Sequence, residues 1–220
     1  MNGLTFSFVD HTLTALPSGA LWWPAEATLV VSDLHLGKAE RMARRGGPIL
    51  PPYEIQETLD RLIADCAATG AKRVICLGDS FDDLAAAQAT AQDVSDRLAP
   101  TMAGRQWIWI EGNHDPGPVG IGGEHLSEVK ISSIAFRHIA SESSEAEVSG
   151  HYHPKARVLA RGRTITRPCF LVDDRRLILP AFGTYTGGLH CDRPELASLM
   201  APNAAAILLA DPPVRIPMPR

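Results

Sequence analysis

Short runs of β-forming apolar residues, each ending in a cluster of Gly, Asp, Asn or His, recur along this chain and constrain its fold more than any other feature. Three of these runs precede the motifs DLHLG, GDSFDD and GNHD, and two later runs precede Arg-His and GHYHP. Such runs are typical of buried strands that end in loops. The predicted strands cover residues 29–31, 74–77, 107–110, 134–136 and 147–149.

Two helices are predicted between the first three strands. The first has one apolar face, begins after Pro51-Pro52 and ends at Gly70, a residue that suits a C-terminal cap. The second is alanine-rich, runs from Leu84 to Leu98, and is expected to stop because of Pro100. Alternating strands and helices followed by a strand-rich segment indicate an α/β fold. We expect a sandwich of two β-sheets flanked by helices, in a single domain spanning residues 1–220.

The composition excludes several classes of protein. A formal net charge of -4 over 220 residues argues against a protein that coats nucleic acid by bulk attraction. Four widely spaced cysteines lack the density of a disulfide-stabilised secreted fold. No stretch approaches the ~18 uninterrupted apolar residues of a membrane helix, and the N-terminus lacks the pattern of a signal peptide. We therefore expect a soluble, cytoplasmic protein without a membrane partner.

The polar motifs at the strand ends contain residue types that bind metal ions. In D-x-H and H-x-H, an extended backbone would direct both side chains to the same side. Oxygen and imidazole ligands without thiolate suit Mn²⁺, Fe or Zn²⁺. The ligands are too many for one ion, whereas two divalent ions about 3.5–4 Å apart can share a carboxylate, lower the pKa of a bridging water and hold phosphoryl oxygens. The candidates are Asp33, His35, Asp79, Asp82, Asn113, His114, His138, His151 and His153.

Taken in order, D-x-H, G-D-x-x-D, G-N-H-D, a lone His and G-H-x-H resemble the motifs of the calcineurin-like metallophosphoesterase superfamily, over residues 33–153. The resemblance implies a phosphoesterase in which a metal-bridging hydroxide is the nucleophile. It implies that Asp79 bridges two metals, that His114 is the catalytic histidine and that Asp82 orients its imidazole. The remaining ligands divide into Asp33, His35 and His153 for one metal, and Asn113, His138 and His151 for the other.

One departure from the family pattern concerns the substrate. Many phosphomonoesterases of the superfamily have an arginine where this chain has Asp83, directly after G-D-x-x-D. Its absence favours a phosphodiester, which carries a single negative charge.

A narrower resemblance, carried by residues 33–62 and by LILPAFGTYTGGL, is to the bacterial ligase-associated DNA-repair metallophosphoesterases. It implies a manganese-dependent DNA endonuclease acting on single-stranded or flexible DNA, associated in function with a DNA ligase, a helicase and an exonuclease. Fe or Zn²⁺ are the alternative metals. Hydrolysis of small nucleotide esters is a competing hypothesis, and a non-catalytic scaffold of the same fold is a third.

The basic run that follows the first metal motif is the candidate for contact with DNA. Lys38 and Arg41 are the substrate-binding candidates, although an ordinary solvated surface explains this run equally well. The later arginines, from Arg157 to Arg176, are interpreted as surface residues unless they face the cleft. Tyr185 and His190 flank a Gly-rich segment that could line the rim of the site.

Overall fold

The computed structural model describes residues 2–115, 120–142, 145–160 and 162–220, and it confirms the predicted α/β class with two mixed sheets. The five strands predicted before the polar motifs are all present. None of the helices in these ranges has the length and apolar character needed to cross a membrane.

The first sheet has seven strands that lie side by side in chain order. They are β1 (Leu4–Phe8), β2 (His11–Ala15), β3 (Leu21–Trp23), β4 (Thr28–Val31), β5 (Arg73–Leu77), β6 (Gln106–Ile110) and β7 (Glu124–Leu126). Strands β1 to β4 are antiparallel neighbours, whereas β4 to β7 run parallel. The carboxyl ends of β4, β5 and β6 therefore meet at one edge of the sheet.

The second sheet is formed by the later part of the chain. Its strands are β8 (Glu128–Ile131), β9 (Ile134–Arg137), β10 (Ala146–Ser149), β11 (Lys155–Ala160), β12 (Arg163–Val172), β13 (Arg176–Ile178), β14 (Ala205–Leu208) and β15 (Val214–Pro217). The order is β15-β14-β12-β13-β10-β9-β8, and β11 pairs with β12 outside this path. Strands β9, β10 and β13 are parallel, so the loops after β9 and β10 also lie at a common edge.

Four α-helices lie in the described ranges: α1 (Lys38–Arg44), α2 (Glu54–Thr69), α3 (Leu84–Met102) and α4 (Pro194–Leu199). Helix α2 ends as predicted, since Gly70 adopts φ 66° and its N–H bonds to the carbonyl of Cys66. The predicted end of α3 was wrong, because Pro100 lies inside the helix. Proline removes only its own N–H there, and the last turn closes through a bond from the Ala103 N–H to the Ala99 carbonyl.

The core has an inner layer between the two sheets and outer layers beneath the helices. On β6, Ile108 and Ile110 belong to the inner cluster, whereas Trp107 and Trp109 pack on the side of α2 and α3. This alternation buries β6 on both faces and makes its tryptophans packing residues. A third cluster joins α4 to the outer face of the second sheet.

Candidate metal centre

Main-chain hydrogen bonds continue beyond the strands and hold the polar loops together. After β4, the N–H of His35 donates to the carbonyl of Asp79 (2.9 Å), in the loop after β5. The second sheet joins them through its own loops, because the N–H of His151 donates to Asp33 Oδ2 (2.9 Å) and His138 Nδ1 donates to the carbonyl of Leu77 (2.8 Å). The carboxyl ends of strands from both sheets therefore form one site.

The backbone is left-handed, rather than extended, at most of the predicted ligands. Of the nine non-glycine residues with positive φ in the described ranges, five are predicted ligands. They are Asp33, His35, Asp79, His151 and His153, with φ between 45° and 69°. The extended backbone that would align the side chains of D-x-H and H-x-H is therefore not adopted, although the side chains do converge. Such conformations cost roughly 1–2 kcal/mol each and are common at functional sites.

Close approach between the loops requires glycine at two motif positions. A Cβ on Gly112 would lie 2.1 Å from the backbone nitrogen of Asp79, and one on Gly150 would lie 1.7 Å from Ser32 Oγ. Neither neighbour can move without shifting a predicted ligand, since Asp79 is one and Ser32 Oγ donates to Asp33 Oδ2. The glycines of GNHD and GHYH thus set the spacing between the loops.

The first group of predicted ligands comprises Asp33, His35 and His153, whose ligand atoms lie within 4.8 Å of one another. His35 Nε2 lies 3.3 Å from His153 Nε2, and Asp33 Oδ1 lies 3.1 Å from that same nitrogen. Asp33 Oδ1 is buried and has no hydrogen-bond partner in the described residues. Burial acts to raise the pKa of Asp33, but hydrogen bonds and charge from His153, His138 and Ser32 lower it overall. The carboxylate of Asp33 is therefore charged at neutral pH.

The second group contains Asp79, Asn113, His138 and His151. The Nδ1–H of His138 donates to the carbonyl of Leu77. In this tautomer the lone pair of Nε2 faces the other ligands of the group. Within 3.3 Å of that nitrogen lie three further ligand atoms: Asn113 Oδ1 at 2.9 Å, His151 Nδ1 at 3.2 Å and Asp79 Oδ2 at 3.3 Å. Converging lone pairs of this kind fit a bound cation.

The two groups are adjacent, since Asp33 Oδ1 of the first lies 3.9 Å from His138 Nδ1 of the second. Asp79 contacts the second group, and its Oδ1 also accepts the N–H of His114 (2.8 Å). Burial opposes the shift, but hydrogen bonds and charge from His138 and His114 lower the pKa of Asp79 to about 2. The bridging role of Asp79 stays a prediction.

His114 lies beside the ligands but is bonded differently. Its Nδ1 donates to the carbonyl oxygen of Asp82 (2.7 Å), and its Nε2 lies 4.0 Å from Asp79 Oδ2. The side chain is 31% exposed, against 5% for His138. This histidine therefore faces the open side of the site, and among the residues that the structure describes its Nε2 has no hydrogen-bond partner.

The carboxylate of Asp82 interacts mainly with His35 and helix α1. Its Oδ1 accepts from His35 Nδ1 (2.9 Å), and its Oδ2 accepts from Arg41 Nη1 (2.8 Å). A carboxylate on the outer nitrogen of a histidine fixes the tautomer and leaves the other nitrogen for a metal. Asp82 thus holds His114 through its main chain and His35 through its side chain. Despite burial, His35, Arg41 and Lys38 hold the pKa of Asp82 well below its usual range.

The basic run lies on α1 and at its C-terminal end, and its side chains pair with Asp82 and Asp83, the last two aspartates of GDSFDD. Lys38 Nζ lies 3.5 Å from Asp82 Oδ1, and Arg44 Nη2 bonds both oxygens of Asp83 at 2.8 Å. Asp83 also caps α3 through the N–H of Ala86 (2.8 Å). The aspartate that stands in place of an arginine therefore anchors a cationic helix beside the site. Contact of Lys38 and Arg41 with substrate stays a prediction.

Sequence reasoning did not single out Asp115, the last residue of GNHD, although it supports the loop that carries Asp79. Asp115 Oδ2 accepts from the N–H groups of Ser80 (2.8 Å) and Phe81 (3.0 Å), and the residue is 5% exposed. Burial, together with the nearby charge of Asp79, raises the pKa of Asp115 to about 7, while the two N–H donors act in the opposite direction.

Replacing Asp115 with alanine is expected to lower the free energy of unfolding by about 2–4 kcal/mol, because two buried N–H groups lose their acceptor. Urea unfolding would measure this. We expect weaker metal binding as well, since the loop that presents Asp79 is no longer fixed. Asp96→Ala, on the exposed face of α3, is the control. A midpoint equal to that of the control would contradict the supporting role.

The segment after β13 closes one side of the site. The N–H of Gly183 donates to the carbonyl of Asp33 (3.0 Å), and that of Leu189 donates to the carbonyl of Tyr152 (3.2 Å). Tyr185, 39% exposed and with φ 63°, lies between these anchors. His190 forms a β-bridge with Lys155. The Gly-rich segment thus lines the rim, while a phosphate contact by Tyr185 remains a prediction.

Comparison with known proteins identifies the family of this site. The model of the family described as calcineurin-like phosphoesterase matches residues 27–179, which include every predicted ligand. The chain belongs to that family. This phosphoesterase therefore has a metal-dependent activity, as the family does, and its two ligand groups supply residues that could hold the metals.

Among solved structures, the phosphoesterase is similar to one described as the crystal structure of Pseudomonas putida nuclease MPE. The two share 28% sequence identity with a TM-score of 0.75, over 96% of this chain and 100% of the other. No curated protein sequence matches the chain.

Proposed function

We propose that this phosphoesterase is a nuclease that hydrolyses DNA phosphodiester bonds with two bound divalent metal ions. The observation that carries the proposal is the convergence of ligand atoms in two adjacent groups. In the second group, three ligand atoms lie 2.9–3.3 Å from His138 Nε2. Imidazole nitrogens and carboxylate and amide oxygens that converge in this way are ligand types that bind divalent transition-metal ions. Two divalent ions in such a site supply a nucleophile from bound water and neutralise charge on the phosphoryl oxygens.

The residues of the chain would bind the metal ions, orient the ligands and act on the leaving group. Asp33, His35 and His153 would hold one ion, and Asp79 would be shared with a second ion held by Asn113, His138 and His151. Asp82 fixes the ring of His35 through its carboxylate. Because Nδ1 of His114 is bonded to a carbonyl, Nε2 is the nitrogen that could donate a proton to the leaving oxygen or stabilise the transition state.

Two observations favour a phosphodiester in DNA over other phosphate esters. The position that carries an arginine in many phosphomonoesterases holds Asp83, whose charge is paired with Arg44. The similarity to a nuclease extends over 96% of the chain at 28% identity. A role in DNA repair, alongside a ligase, a helicase and an exonuclease, is the corresponding biological proposal. The N and O donors without thiolate suit Mn²⁺, with Fe or Zn²⁺ as the alternatives.

A matrix of metals and substrates tests the proposal. The purified protein would be stripped with chelator, reloaded with Mn²⁺, Fe²⁺, Zn²⁺ or Mg²⁺, and assayed on closed circular DNA, single-stranded DNA, bis(p-nitrophenyl) phosphate and p-nitrophenyl phosphate. We expect metal-dependent nicking of circular DNA and cleavage of single strands, with the diester preferred over the monoester. Turnover of the small diester with both DNAs left intact would reject the nuclease in favour of a small-nucleotide phosphodiesterase.

A further inference from the structure

The hairpin of β11 and β12 carries concentrated positive charge that the site described above does not use. Residues 154–172 contain five basic residues and no acidic residue, in a chain whose net charge is -4. The five are Lys155, Arg157, Arg161, Arg163 and Arg167. Arg161 lies outside the residues that the structure describes, whereas the other four lie within them.

These four side chains are unpaired, in contrast to the basic residues of α1. Within the described part of the chain, none of them forms an ion pair or a side-chain hydrogen bond. On α1 and at its C-terminal cap, the charged groups of Lys38, Arg41, Arg44 and Arg45 all lie within 4.0 Å of Asp82 or Asp83. The helix is therefore close to neutral with its partners, whereas the hairpin presents an uncompensated positive field.

The hairpin is fixed to the rim of the metal centre at its base. Lys155 follows the predicted ligand His153 by two positions, and its N–H and carbonyl bond to Leu189 (2.8 Å) and Cys191 (2.9 Å). A Cβ on Gly188 would lie 2.1 Å from the carbonyl oxygen of His153 and 3.1 Å from Lys155 Cε. The first cation of the hairpin thus lies against the same turn as the metal centre.

From that base the two strands of the hairpin stay paired, and three of its four described cations are exposed. Strand β11 pairs with β12 along its full length, from Lys155 opposite Pro168 to Ala160 opposite Arg163. Six residues span ~20 Å at about 3.4 Å each, which corresponds to about six phosphates along one strand of a duplex. Arg157, Arg163 and Arg167 are exposed, and Arg157 lies on the opposite face of the hairpin from the other two.

We propose that this hairpin is a DNA-binding arm, in which Arg157, Arg163 and Arg167 contact backbone phosphates next to the bond being cut. The inference rests on the proposed nuclease function and adds the surface that holds the polymer. Arginine is suited to this contact because its guanidinium forms paired hydrogen bonds with phosphate oxygens. Such contacts position a strand without reading its sequence.

The test compares two triple variants that remove the same charge from different surfaces. The first is Arg157→Gln with Arg163→Gln and Arg167→Gln. The control is Lys72→Gln with Lys130→Gln and Arg215→Gln, which are exposed positions outside the hairpin and the metal centre. Binding of a labelled single-stranded DNA would be measured against salt concentration on the manganese-loaded full chain, in a His114→Ala background that limits cleavage.

We expect the hairpin variant to bind DNA about tenfold more weakly at physiological salt, and its plot of log K against log salt to be less steep by about 2. With His114 present, the ratio of DNA cleavage to bis(p-nitrophenyl) phosphate turnover is expected to fall by a similar factor. The control should change affinity and ratio by less than about twofold. A variant with lysine at the three hairpin positions should recover most of the binding, since the charge is restored.

Equal affinity, salt dependence and cleavage ratio in the hairpin and control variants would overturn the proposal that the hairpin binds DNA. That result would point to an acidic protein as the partner of the hairpin. If the unmodified protein cuts DNA normally in that case, the nuclease proposal stands without the arm. If the unmodified protein turns over the small diester but neither binds nor cuts DNA, both proposals fail together.

Discussion

Replacement of His114 by alanine is expected to lower turnover of a phosphodiester by about 10²–10⁴-fold while two metal ions remain bound. The reason lies in how the imidazole is held. Its Nδ1 bonds to the carbonyl of Asp82, and its main-chain N–H, which alanine keeps, bonds to Asp79 Oδ1. The substitution therefore removes a group next to the reacting phosphate without removing a predicted ligand.

Single-turnover assays on DNA and on bis(p-nitrophenyl) phosphate, together with elemental analysis of the loaded protein, would measure this effect. A matched control is His125→Ala, another partly buried histidine, whose Nε2 bonds to the carbonyl of Ile121 and whose ring stacks on Trp109. Because His125 contacts no predicted ligand in the described residues, its loss should leave turnover within about threefold. Activity of His114→Ala equal to that of this control would refute the catalytic role, and loss of metal would make His114 a structural part of the ion site.

The positions of the strands could be predicted because burial leaves a local signature. On β6 the alternation of Trp and Ile matches its two buried faces, since the tryptophans lie under the helices and the isoleucines lie between the sheets. Pro100 shows the limit of such local signals. A helix tolerates one missing N–H near its end when the following turn is still closed.

The candidate ligands followed from residue types at strand ends, and their division into two groups followed from the family resemblance. The way the loops present them could not be predicted. The spacing of Asp33 and His35 suits an extended backbone, whereas both residues adopt positive φ. That conformation depends on hydrogen bonds to the loop after β5, which is over forty residues away in the chain. A motif of five letters cannot encode contacts of that range.

The partners of the charged residues were the least predictable part of the site. The sequence places Arg41 near the first motif, but only the path of α1 brings it within 2.8 Å of Asp82 Oδ2. Asp115 was missed because its carboxylate accepts from the N–H groups of Ser80 and Phe81, which lie in a different loop of the chain. Among the described residues the hairpin arginines lack partners, and no feature of the sequence indicated this. Their alternation with apolar residues suggested an ordinary surface, and only the lack of nearby carboxylates in the described residues distinguishes them from other surface arginines.

Asp79→Asn is expected to reduce bound metal from two ions to one or fewer per chain and to lower phosphodiester turnover by more than about 100-fold. Loss of outer partners of metal ligands already costs about 10–100-fold in affinity or activity, and a ligand shared by both ions should cost more. The low pKa of Asp79, about 2, means that its full negative charge is present at neutral pH to balance the cations. Asparagine has nearly the same shape but lacks this charge.

The same substitution separates a metal-binding role from a structural one. Asparagine Oδ1 can still accept the N–H of His114, which Asp79 Oδ1 accepts at 2.8 Å, so the fold around the loop should survive. We therefore expect a urea midpoint for the metal-free variant close to that of the metal-free parent, and Asp96→Asn, on the exposed face of α3, to match the parent in every measurement. Two tightly bound ions and turnover within about fivefold of the parent would show that Asp79 is not shared between metals, because a bridging carboxylate cannot lose its charge without weakening both sites.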